Sequence, residues 1–189
     1  MSSLLLENED IAAELTDKAV QEEWLGYPAA TKAKVDELEK CIQKKLPTSY
    51  RGFLMVSNGW RRTSFFLGKL LSTRQVDYFR VRNNDWIEPY RCAPEEDLSA
   101  EEHLAYGEEQ DCASFRAAYL EQAIQISDEH DGAVVLLNPD VSTTTGEWEA
   151  WFLASWLPGA QRHPSFWDLM QTELQKMHSL ENNDCSFDD

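Results

Sequence analysis

The chain has 189 residues, 42% apolar and 11% aromatic, enough for one domain with a substantial core. Its formal charge of −17 argues against nucleic acid or an anionic membrane as a partner, and no apolar run nears the roughly 18 residues a membrane helix needs. Cys41, Cys92, Cys112 and Cys185 keep no metal-ligand spacing with His103, His130, His163 or His178, so no zinc site, disulfide framework or cofactor is expected.

The opening MSSLLLENEDIAAEL lacks a basic n-region and a long apolar stretch, so no secretory leader is expected and a cytoplasmic location is. Residues 1–23 read as a helical extension, 24–178 as the main domain and 179–189, ending in NNDCSFDD, as a disordered acidic tail. Between Thr31 and Lys45, Val35, Leu38 and Ile42 keep helical spacing, and Leu46-Pro47 is expected to end that helix because a residue before proline leaves the α region. Pro47 then fits the first turn of a second helix with Tyr50, Phe53, Leu54 and Ser57 on one face, closed by a left-handed cap at Asn58-Gly59.

Further on, Phe65, Phe66 and Leu67 suggest a short strand. Ser72 with Gln75 forms a capping-box pattern that predicts a helix from about Thr73, and Ser99 with Glu102 and Ser165 with Asp168 repeat the pattern. Strands are expected at Ala123–Ser127, Ala133–Leu137 and Trp148–Trp156. In the last, Trp148, Ala150, Phe152, Ala154 and Trp156 alternate with Glu149, Trp151, Leu153 and Ser155, one face wholly apolar and the other mostly so, which marks a central strand. Phe166, Leu169, Met170, Leu174 and Met177 form the apolar stripe of a closing helix. The order predicts an α+β domain, one mostly antiparallel or mixed sheet with helices packed on it. Trp148, Trp156 and Trp167 are expected in its core.

Charge is unevenly distributed. Met1–Arg91 carries 14 Lys/Arg against 13 Asp/Glu, whereas Cys92–Asp189 carries 3 against 21. Glu95, Glu96, Asp97, Glu101, Glu102, Glu108, Glu109 and Asp111 fall within seventeen residues that hold no Lys or Arg. Such a run is commonly a solvated face, but solubility alone needs no one-signed half, whose self-repulsion costs stability. The imbalance favours a cationic partner, with Glu101, Glu102, Glu108, Glu109, Asp111, Asp128, Glu129 and Asp131 as its contacts. For catalysis the sequence offers no G-x-S-x-G, H-E-x-x-H, Walker A or glycine-rich loop, leaving a hydrolase built on paired carboxylates as the enzyme alternative.

LEKCIQKKLPTSYRGFLMVSNGW resembles the signature of the SUKH superfamily, Smi/Knr type, through Glu39, Leu46, Pro47, Tyr50, Phe53, Leu54, Asn58 and Gly59. DGAVVLLNP, GEWEAWFLASWLPGA and SFWDLM resemble later pieces of larger bacterial members, extending the likeness from Trp24 to Met177. Lys44-Lys45 stands where that family usually has a glycine before Leu-Pro, and Glu95–Asp111 has no counterpart in the pattern. The resemblance implies a single non-catalytic α+β domain. In bacteria it would bind and neutralise a toxin of the same strain, here a basic one and often a nuclease; the eukaryotic alternative is a regulatory adaptor in cell-wall synthesis and signalling.

Overall fold

The structure is a computed structural model and describes residues 1–91 and 98–184. Five antiparallel strands, β1 (Asp77–Tyr78), β2 (Ile124–Gln125), β3 (Ala133–Ser142), β4 (Trp148–Ala154) and β5 (Ala160–His163), lie in chain order across one sheet. All seven β4 residues are buried, because its alternating side chains supply cores on both faces. Trp148, Ala150, Phe152 and Ala154 join Val135 and Leu137 of β3 on one face; Trp151 and Leu153 join Val134 and Leu136 on the other.

The first face is covered by α4 (Lys32–Cys41), α5 (Thr48–Val56) and α9 (Phe166–Asp184), through Val35, Leu38, Tyr50, Leu54, Phe166 and Leu169. The second is covered by α6 (Phe79–Arg82), α7 (Asn84–Arg91) and a 3-10 turn at Ala117–Glu121, through Phe79, Ile87 and Leu120. Short helices α1 (Ser2–Leu6), α2 (Glu9–Glu14) and α3 (Asp17–Gln21) precede these, and Leu5, Ile11 and Leu25 pack with Met177 of α9. The α+β architecture follows the sequence pattern. Among the described residues no helix is long and apolar enough to cross a membrane.

Several local expectations are corrected. Helix α4 stops at Cys41, before Leu46-Pro47 can act, because Gln43 turns left-handed (φ 54°) while Gln43 N donates to Lys40 O and Lys44 N to Glu39 O. Helix α5 ends at Val56 with an extended Ser57, so Asn58-Gly59 is not its left-handed cap. Instead Asn58 Oδ1 accepts from Thr73 N at 2.8 Å, and Trp60 pairs with both Gly26 and Leu70, tying three loops together.

Phe65–Leu67 is no strand: Thr63 N bonds Leu67 and Gly68 carbonyls, and Ser64 Oγ accepts from Phe66 N and Leu67 N, which curls the segment into a tight turn. The Ser72–Gln75 contact forms, but the helix expected at Thr73 does not: Gln75 N and Val76 N both donate to Ser72 O in a single turn, and Asp77 and Tyr78 pair with β2. Trp148 is buried, yet Trp156 is 55% and Trp167 60% exposed, Trp156 because it lies past the end of β4 and Trp167 because it is on the outer side of α9, whose Phe166 and Leu169 face the sheet. Helix α9 carries residues 179–184 of the expected tail, and 185–189 lie outside the described residues.

Candidate protein-binding surface

The acids singled out by charge fall into two groups. Glu101 and Glu102 lie in the short helix α8 (Ala100–His103), Glu108 and Glu109 in a 3-10 turn at Gly107–Glu109, and Asp111 just beyond it. Glu95, Glu96 and Asp97 lie outside the described residues. Asp128, Glu129 and Asp131 occupy the connection between β2 and β3.

Some of these carboxylates shape the backbone. Glu102 Oε2 accepts from Ser99 N at 2.9 Å while Ser99 Oγ accepts from Glu102 N, completing the capping box and holding the Glu102 carboxyl below its ordinary range. Asp111 accepts from Ser114 Oγ at 2.8 Å and Ala113 N at 3.0 Å, which lowers its carboxyl too. Asp128 Oδ1 accepts from Lys69 N at 2.8 Å, with Lys69 Nζ 4.0 Å from Oδ2. Asp131 takes a positive φ of 49° and its carbonyl accepts from Trp156 Nε1 at 3.0 Å.

What these surface acids, Asp128 apart, lack is a cation. Among the described residues Glu102, Glu108, Glu109, Asp111, Glu129 and Asp131 form no ion pair. In the first half Asp36, Glu39 and Glu88 are each held within 3.2 Å by Lys or Arg, whereas among the described residues exposed Glu7, Glu9 and Glu37 form no ion pair either. Both acid groups border the turn between β4 and β5: Cys112 O accepts from Ala160 N at 2.9 Å, and Gly132 O accepts from Ser155 N at 2.8 Å. The topology therefore places Asp111 and Asp131 at the same end of the sheet.

A buried polar cluster, missed from sequence, underlies the first group. Glu149 of β4 and Arg162 of β5 are each 1% exposed, with Glu149 Oε1 3.5 Å from Arg162 NH1. Glu149 Oε2 also accepts from Trp151 Nε1 at 2.6 Å and Asn138 Nδ2 at 3.0 Å. Residues 98–112 close over the pair as a strap. Tyr106 donates to Glu149 Oε1 at 3.2 Å, buried His103 brings Nε2 within 3.6 Å of Oε2, and the Gln110 amide brackets Arg162, accepting from its N at 2.8 Å and donating to its O at 2.9 Å. Burial alone would raise the Glu149 carboxyl, but His103, Trp151 and Asn138 outweigh it and leave it below the ordinary range. The available signal was a lone carboxylate in an otherwise apolar strand, one strand before one of only three bases in the second half.

Among the described residues no group of three or more His, Cys, Asp or Glu side chains could hold a metal ion. The surface offers charge and hydrogen-bond acceptors, which suits recognition of a cationic macromolecule. Residues 29–172 match the model of the SMI1 / KNR4 family (SUKH-1). No curated protein matches the chain.

Proposed function

The chain belongs to the SMI1 / KNR4 family (SUKH-1), a branch of a superfamily of immunity proteins, and from that premise we propose that it is a non-catalytic cytoplasmic immunity protein for a basic toxin domain, a nuclease. The observation that carries this reading is the set of exposed second-half carboxylates without ion-pair partners. Such groups attract the Lys and Arg that a nuclease uses on phosphates, so the bound toxin cannot hold its substrate. Inhibition is steric and electrostatic and needs no bond-making step.

The test starts with the tagged chain as bait in the cells that make it, followed by purification of the captured protein. Expected is a basic nuclease domain whose activity falls to background at one equivalent of this chain. Reversing Glu108, Glu109 and Glu129 to Lys, three exposed acids, should slow association about tenfold or more. The same reversal at exposed Glu7, Glu9 and Glu37 serves as control. Equal effects from the two triple variants, or a captured set of host signalling proteins without nuclease activity, would replace this reading with the adaptor one.

A further inference from the structure

Two fully buried charges in an apolar sheet need a reason. Desolvating a carboxylate and a guanidinium costs several kcal/mol per ion by general estimates, and apolar residues of similar volume commonly serve a core as well or better. Arg162 is also incompletely paired, since its Nε and NH2 are buried without a hydrogen-bond partner. As a source of stability the pair is a poor choice, but it sits under one segment only. Three strap side chains, His103, Tyr106 and Gln110, converge on Glu149 and Arg162, and Cys112 O bonds Ala160 N two residues along β5. Apolar fastening of the same stretch is thin: Leu104 is 51% exposed.

We infer that Glu149 and Arg162 form a buried clasp that positions the acidic strap for its partner, so that two residues no partner can touch set the strength of binding. The inference rests on the strap acids being the binding surface. A fastened strap holds Glu101, Glu102, Glu108, Glu109 and Asp111 on one defined path, whereas a loose one loses that chain entropy on binding and presents the same charges in no fixed register. Glu149 and Arg162 are positioning residues, and the clasp is polar because hydrogen bonds fix direction as well as proximity.

Two variants separate the clasp from the core. Gln110→Ala removes both bonds to the Arg162 backbone from a half-buried position without emptying the core. The pair Glu149→Leu with Arg162→Met keeps the volume apolar, so the sheet folds without the side-chain anchor for His103 and Tyr106 while the Gln110 bonds to the backbone of position 162 remain. Hydrogen exchange of the free full-length chain, which needs no partner, should show residues 98–112 exchanging about tenfold faster in both variants while β3 and β4 stay protected. Affinity for the basic protein captured with the wild-type chain should fall about tenfold. Unchanged strap exchange in both variants overturns the clasp. A loosened strap with unchanged affinity also overturns it as a positioning device; if reversal of Glu108, Glu109 and Glu129 still weakens binding in that case, the acidic surface stands, and if it does not, the surface falls as well.

Discussion

At Gly59 the backbone takes φ 102°, and a Cβ there would lie 2.8 Å from the Leu70 carbonyl oxygen. Gly59→Val should therefore cost about 1–3 kcal/mol in a denaturant melt and leave partner affinity of the folded fraction unchanged. Gln43 presents the opposite case, a side-chain-bearing residue at the left-handed position where α4 ends. Gln43→Gly should stabilise the fold by about 0.5–1 kcal/mol, since the strain relieved exceeds the chain entropy glycine adds to the unfolded state. His163 gives a pH signature: burial, with help from Lys176, lowers its ring from 6.5 to about 4. The unfolded chain then binds more protons across that interval, so this contribution to stability is full above about 6.5 and is lost as pH falls toward 4. Replacing His163 with Asn should flatten the pH dependence of melting between those limits.

Helices α4 and α5 are joined by Glu39, whose buried carboxylate accepts from Arg51 NH1 at 2.7 Å, Lys45 Nζ at 2.6 Å and Leu46 N at 3.2 Å. Burial pushes this carboxyl up, and those donors more than offset it. Glu39→Ala should cost about 1–3 kcal/mol, because Leu46 N is left unsatisfied inside and Arg51 loses its anchor; equilibrium unfolding measures it. Elements of this kind were legible wherever one periodicity dominated. The β3 and β4 runs and the α9 stripe declare themselves because each side chain answers to a single packing demand. Phe65–Leu67 misled because its aromatics look like strand residues while the Ser64 hydroxyl, a local hydrogen-bonding group, dictates the turn. The acids were legible as a total charge; their fastening was not, because Glu149 and Arg162 are 13 residues apart and His103 lies 46 residues before Glu149, distances that only folding closes.

Across the whole molecule, charge is expressed through diffusion more than through stability. Association with the proposed basic partner should slow steadily as salt rises from about 0.01 M to 0.15 M, where the screening length shrinks from roughly 30 Å to 8 Å, and stopped-flow mixing at several ionic strengths measures it. The same field bears on a danger inherent in the fold. Strand β5 ends the sheet, and its outer groups at Ala160 and Arg162 are occupied by Cys112 O and the Gln110 amide. Whatever lifts the strap uncovers a row of unsatisfied backbone groups on which a second copy can add its own β5. At low salt the −17 charge keeps copies apart; at high salt that guard is gone. Strap-loosened chains should therefore self-associate as ionic strength rises, so the segment proposed to meet the partner also keeps the protein from polymerising with itself.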